Sequence, residues 1–258
     1  MKMDNVLDKF SLIGKKAIVV GGAGDLGKAM VEAILQAGAQ TVVIDIDDRL
    51  FEICKEFNDN GLNASPIKAD ISKINEVKSS YEAALHILGG KVDILINAAG
   101  IQRRYPSEDF PDEEWCKVIS INLDATFYYC KHAGNTMLKN GGGKIINVGS
   151  IMSQLGGITI PAYAASKGGV AQLTKALSND WSNRGICVNS IAPGYMDTQL
   201  NTALINNKKR TDEVFMRVPM KRWGTGEDLK GLTVFLASAA SDYVTGTVIP
   251  VDGGYLGR

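Results

Sequence analysis

Short apolar runs alternate with longer amphipathic stretches along the whole chain. Ala17-Ile18-Val19-Val20 and Thr41-Val42-Val43-Ile44 read as the first two strands. Ala64 to Lys68 is a weaker third, Val92 to Ile96 a fourth, Ile145 to Val148 a fifth, Cys187 to Ile191 a sixth and Thr247 to Val251 a last. Helical patterns lie between them, at Leu26–Ala37, Arg49–Asn58, Ile74–Leu88, Asp112–Met137, Tyr163–Trp181 and Asp228–Ser238. Strands that are apolar throughout have no face to give to water. Alternating with helices, they predict a parallel sheet covered on both sides. No linker, repeat or low-complexity segment divides the chain, so residues 1–258 are expected to form one domain. The stretch from Pro193 to Arg222 is polar and irregular, and is expected to form a lid over a site.

Composition narrows the classes. A chain of 258 residues, 45% of them hydrophobic, is long enough for a large buried core. Its formal net charge is zero, which leaves no basic footprint for nucleic acid. The one basic run, Lys208-Lys209-Arg210, reads as a solvated loop. No apolar run reaches the roughly 18 residues that span a bilayer, so no membrane partner is expected. Met1-Lys2-Met3-Asp4-Asn5 lacks the apolar core of a secretion signal, and a cytoplasmic location is expected. Cys54, Cys116, Cys130 and Cys187 are scattered, as fits reduced and mostly buried thiols. The two histidines, His86 and His132, lie in helical patterns. A histidine triad or a metal site is not expected.

Chemistry concentrates in a few places. Tyr163 and Lys167 are four residues apart, one helical turn, so phenol and ammonium share a face. A nearby cation is expected to lower the tyrosine pKa toward the range useful for acid–base work. Ser150 follows the fifth strand, where a hydroxyl can hold a substrate oxygen. The first strand runs into Gly21-Gly22-Ala23-Gly24-Asp25-Leu26-Gly27, which opens a helix. Glycines there let backbone approach a pyrophosphate, and the helix N-terminus favours its charge. Asp45 ends the second strand, where an acid can bond the adenosine ribose hydroxyls and repel a 2′-phosphate. That favours NAD over NADP. A solvated turn acid is the competing account, since Asp47 and Asp48 follow.

Taken together, the glycine loop, Asn97-Ala98-Ala99-Gly100, Asn122, Ser150, Tyr163, Lys167, Pro193-Gly194 and Asp252-Gly253-Gly254 resemble the short-chain dehydrogenase/reductase family. The resemblance implies a Rossmann-like, doubly wound α/β fold in one domain, about seven parallel strands and a homotetramer. It implies Tyr163 as general acid/base, Ser150 as orienter, Lys167 as pKa modulator and ribose ligand, and Asn122 as anchor of a proton-relaying water. Gly21, Gly24, Asp25, Leu26, Gly27 and Ala98 are implied as cofactor contacts. Asn97 and Gly100 would border the adenosine, Asp70 and Ile71 would flank the adenine, and Ile191, Pro193, Gly194, Met196 and Thr198 would meet the nicotinamide half. Three positions depart from the family pattern: Val20 for threonine, Ala98 for asparagine and Asp25 for the middle glycine. Asp25 is expected to point away from the pyrophosphate.

Gln102-Arg103-Arg104-Tyr105-Pro106 follows the fourth strand at the same sheet edge. A guanidinium there matches a carboxylate. An exposed basic loop balanced by Glu108 and Asp109 accounts for the charge equally well. The segments Ala99 to Arg104, Ile191 to Met196 and Arg222-Trp223-Gly224 resemble the family's sugar-acid branch, which implies a gluconate- or deoxygluconate-type substrate with Arg104 on its carboxylate. Gln154 is a candidate hydroxyl ligand or a loop hydrogen bonder. A steroid or acyl-carrier ketone reductase, and a nucleotide-sensing regulator without turnover, are the competing functions.

Overall fold

The computed structural model describes residues 5–257. Residues 1–4, on which the leader reading rested, and residue 258 lie outside the described part. Seven strands, β1 (Lys16–Val20), β2 (Gln40–Asp45), β3 (Ala64–Lys68), β4 (Ile94–Asn97), β5 (Gly143–Val148), β6 (Ile186–Pro193) and β7 (Val248–Val251), form one sheet. Their order is β3-β2-β1-β4-β5-β6-β7, and every neighbouring pair is parallel. The helices are α1 (Asp25–Gln36), α2 (Arg49–Asp59), α3 (Ile74–Ile87), α4 (Asp112–Ile119), α5 (Ala125–Lys139), α6 (Pro161–Trp181), α7 (Thr202–Ile205), α8 (Lys208–Arg217) and α9 (Glu227–Ala237).

Successive strand residues point to opposite faces. Val19, Val43, Ile96 and Ile146 therefore pack against Met30 and Ile34 of α1, Leu50 of α2 and Leu229 of α9. Ile18, Val42, Leu95 and Ile145 pack the other way, against Val77 of α3, Tyr129 of α5 and Leu177 of α6. Burying a side chain of this size contributes about 1.5–3 kcal/mol. Two such layers explain why the strands carry apolar residues without alternation. Strand order reverses between β1 and β4, so the connections leaving their carboxyl ends diverge and open a crevice.

Four expectations need correction. The pattern over Asp112–Met137 is not one regular helix. Ser120–Asp124 between α4 and α5 is a π-helical turn, an inserted residue that periodicity alone does not reveal. The 193–222 stretch is not irregular, since it holds α7 and α8. Lys208-Lys209-Arg210 forms the first turn of α8, capped by the Asn207 side chain, which accepts the Arg210 N–H at 3.1 Å. The thiols are not mostly buried either: Cys54 and Cys130 are, Cys116 is exposed and Cys187 half-buried.

Candidate active site

The glycine loop is shaped by close approach. Gly21 has φ +83°, and a Cβ there would collide with the Ala99 backbone at the end of β4. A Cβ at Gly27 would collide with the Gly21 carbonyl. Only glycine lets the loop turn this tightly into α1. Gly24 caps α1 with no side-chain bond, which leaves the first amides of the helix unpaired. Asp45 closes the loop from the side: Oδ2 accepts the Ala23 N–H at 2.9 Å and Oδ1 the Asp47 N–H at 3.1 Å. Asp25 reaches across to the segment after β6, where its Oδ2 accepts the Gln199 N–H at 2.7 Å.

Tyr163 and Lys167 lie in the first turns of α6, which starts at Pro161. Lys167 is buried. Its Nζ donates to the Val148 carbonyl at 2.7 Å and stands 5.8 Å from the centre of the Tyr163 ring. Burial pulls the ammonium pKa down to about 8. Burial also pushes the Tyr163 phenol up, with a hydrogen bond from Ser150 acting in the opposite direction. The lowering expected from Lys167 is therefore absent here, because desolvation outweighs a cation already spent on a strand carbonyl.

Ser150 opens a reciprocal capping box. Its Oγ accepts the Met152 N–H at 3.1 Å while Ser153 Oγ accepts the Ser150 N–H at 3.2 Å. Ser153 also donates to the Lys167 carbonyl at 2.9 Å, tying the serine turn to α6. Asn122 sits fully buried in the π-helical turn. Its Oδ1 accepts the Ile101 N–H at 2.8 Å, and its Nδ2 donates to the Ile101 carbonyl at 2.9 Å and to Ser166 Oγ at 3.0 Å. Both amide hydrogens are committed to protein partners, and the side chain pins the segment after β4.

These elements enclose a cavity of about 260 Å³. Gly21, Gly24, Asp25, Leu26 and Gly27 line it from the glycine loop, and Ala98 and Gly100 from the end of β4. Ser150, Tyr163 and Lys167 line it from β5 and α6, and Pro193, Gly194, Met196 and Thr198 from β6 and the segment after it. Gln199, Leu200 and Asn201 also line it. Sequence reasoning missed these three, and their one signal was their place directly after Thr198.

Other candidates lie outside these walls. Asn97 is buried and donates to Asn147 Oδ1 at 2.9 Å and to Cys130 Sγ at 3.3 Å, a cross-link within the sheet. Asp70 bonds Ser72 and pairs with Lys73 at 3.3 Å, and its carboxyl is held below the usual range by Ser72 first. Ile71 packs on the second core layer, and Ile191 is buried in the first. Gln154 is exposed and lines neither this cavity nor the next.

That next cavity, about 330 Å³, is lined from the segment after β5 and from α7 and α8. Arg104 lines it with Met152, Leu155 and Tyr195, facing Arg217 and Tyr255. Arg103 is turned elsewhere, onto Glu114 at 2.7 Å. Arg104 makes no ion pair among the described residues.

The family described as Enoyl-(Acyl carrier protein) reductase matches residues 21–256. A 2-dehydro-3-deoxy-D-gluconate 5-dehydrogenase of Bacillus subtilis (strain 168) is 43% identical, covering 97% of this chain and 98% of that protein. A 5-keto-D-gluconate 5-reductase of Escherichia coli (strain K12) is 37% identical, covering 96% and 98%. The crystal structure of a gluconate 5-dehydrogenase from Burkholderia cenocepacia J2315, in complex with NADP and tartrate, superposes with a TM-score of 0.94 at 37% identity, covering 98% of this chain and 100% of that one.

Proposed function

The chain belongs to the short-chain dehydrogenase/reductase family and is an NAD(P)-dependent oxidoreductase acting on a hydroxyl group, and from that premise we propose that it interconverts a hydroxyl and a ketone on a sugar acid of gluconate or deoxygluconate type, using NAD. The observation that carries this reading is the single cavity in which Ser150, Tyr163 and Lys167 face the glycine loop.

The residues fit a dinucleotide. The unpaired amides at the start of α1 suit a pyrophosphate. A Cβ at Gly100 would stand 3.4 Å from Lys167 Nζ and 3.5 Å from Asn122 Oδ1, so glycine keeps that corner open for a ligand. Bound nicotinamide supplies the hydride acceptor or donor. Tyr163 takes the hydroxyl proton in oxidation and returns it in reduction. Ser150, fixed by its capping box, holds the substrate oxygen. Lys167, anchored to the Val148 carbonyl, offers its ammonium to the ribose. Asn122 positions the Gly100–Ile101 backbone beside Lys167 and anchors a proton-relaying water.

Cofactor choice rests on Asp45. Its carboxylate is fixed at the end of β2, against the glycine loop, where a 2′-phosphate would meet negative charge. Arg49, the nearby cation, is taken by Asp47 at 2.7 Å. Solved relatives described as binding NADP make this the point to test. The substrate class rests on Arg104, which lines a second cavity whose one carboxylate, Glu213, is paired with Arg210 at 2.9 Å, and on the names of the relatives.

We carry the homotetramer as part of this proposal. Trp115 on α4 and Phe127 on α5 are exposed, as a subunit interface requires. An exposed free Cys116 fits a reducing, cytoplasmic compartment. No helix among the described residues is long and apolar enough to cross a membrane.

A panel of sugar acids with NAD and NADP, followed by nicotinamide absorbance in both directions, tests the reading. Turnover of gluconate or deoxygluconate compounds with NAD is expected. Turnover confined to uncharged ketones would overturn the substrate class.

A further inference from the structure

Asp25 departs from the family pattern and lines the cavity, yet the reaction assigns it nothing. It stands in the first turn of α1, and its Oδ2 accepts the backbone N–H of Gln199 at 2.7 Å. Gln199 opens the short turn Gln199–Asn201 that leads into α7. Thr198 precedes that turn with the extended backbone of an N-cap, φ −148° and ψ 162°, but its hydroxyl makes no capping bond. An N-cap side chain ordinarily takes the second or third amide of its turn. Here the Thr198 carbonyl accepts the Asn201 N–H at 2.9 Å, a carboxylate from a distant helix takes the Gln199 amide, and Thr198 lines the cavity wall.

The rest of the turn is tied to its own segment. Asn201 Nδ2 donates to the Met196 carbonyl at 2.9 Å, and Thr202 Oγ1 to the Gln199 carbonyl at 3.0 Å. Asp197 N–H donates to the Gly224 carbonyl at 2.7 Å, anchoring the base of the lid. The Asp25 bond differs in kind, because it joins the lid turn to the element that cradles the pyrophosphate.

We propose that Asp25 is a positioning residue: by accepting the Gln199 amide it holds the lid turn, and with it Thr198, against the cavity in which a carboxamide would bind. The proposal rests on reading this cavity as the site of the nicotinamide half. A glycine at position 25 has no side chain to do this. The carboxylate thereby links the glycine-loop wall of the cavity to the wall formed after β6. Asp25 is exposed, and solvent competition limits the effect.

Hydrogen exchange on the ligand-free protein tests the clasp, and NADH titration by fluorescence tests its consequence. In Asp25→Ala, exchange at Gln199 to Asn201 is expected to rise roughly three- to tenfold, the scale of one exposed hydrogen bond to a charged acceptor. Amides within α1 and the melting temperature stay near wild type. NADH affinity falls by a similar factor. Asp25→Asn keeps an acceptor oxygen and restores much of both. Unchanged exchange at 199–201 in Asp25→Ala overturns the clasp. Faster exchange with unchanged NADH affinity overturns its role toward the carboxamide. If the wild type binds no NADH, the cofactor reading falls, and the exchange result still decides the clasp.

Discussion

Lys167 Nζ donates to the Val148 carbonyl at 2.7 Å and lies 5.8 Å from the centre of the Tyr163 ring. The ammonium is thus anchored to the end of β5, not to the phenol. That anchor ties the strand end to α6. It also leaves the ammonium buried with one neutral partner, which is why its pKa falls to about 8.

A stability measurement follows from this shift. The folded pKa of Lys167, about 8, lies below the free value of 10.5, so the unfolded chain holds the extra proton between those pH values. Stability contributed by this group therefore rises as pH increases from 8 toward 10.5, by on the order of 3 kcal/mol in total. Tyr163 is shifted upward and works the opposite way only above its free value of 10, so the clean window is pH 8 to 10. Denaturant titrations of wild type and Lys167→Met across that window should diverge, with the wild type gaining. Parallel curves would show an ammonium in contact with water.

Tyr163→Phe keeps the ring's packing and removes the proton carrier. Turnover should fall about 10²–10⁴-fold, the usual contribution of a general acid–base group. NADH binding, followed by fluorescence, should stay close to wild type. A variant that turns over within a few-fold of wild type would take Tyr163 out of the mechanism.

Asp45 has two separable jobs. It supports the glycine loop through the Ala23 N–H at 2.9 Å, and its charge opposes a 2′-phosphate. Asp45→Asn keeps an acceptor for Ala23 and removes the charge, so relative use of NADP should improve while NAD binding weakens moderately. Asp45→Ala loses both and should weaken NAD about tenfold or more, the value of a charged hydrogen bond. The ratio of kcat/KM with the two cofactors reads this directly. A wild type that already prefers NADP would show that the carboxylate does not govern the choice.

The sheet and most helices were legible because the signal is local. Strands buried on both faces must be apolar throughout, and Val19, Val43 and Ile96 show it. Tyr163 and Lys167 were legible because one helical turn places them together. What escaped depends on partners far along the chain. Nothing near Asp25 announces Gln199, and nothing near Lys167 announces the Val148 carbonyl. The π-helical turn at Asn122 escaped because an inserted residue leaves the surrounding apolar pattern intact. The helix α8 escaped because few of its side chains are apolar, and Val214 is the one buried.

Adjacent arginines show the same limit, and the prediction they support is the sharpest. Charge and position in the sequence treat Arg103 and Arg104 alike. Folding separates them: Arg103 meets Glu114 at 2.7 Å and donates to the Gln102 carbonyl at 3.0 Å, whereas Arg104 lines the second cavity. Its backbone neighbourhood is set from across that cavity, since the Tyr105 N–H donates to the Thr159 carbonyl at 3.0 Å. Arg104→Met keeps much of the stem and removes the fork. The KM for a sugar acid should rise at least tenfold, as loss of a hydrogen bond to a charged group costs about 1.5–3 kcal/mol. Kinetics with an uncharged polyol or ketone that is turned over should hardly move. Arg103→Met should lower the melting temperature slightly through the lost Glu114 pair, and leave the sugar-acid KM near wild type. Equal KM values in both variants and the wild type would return Arg104 to the solvated loop and reopen the substrate class.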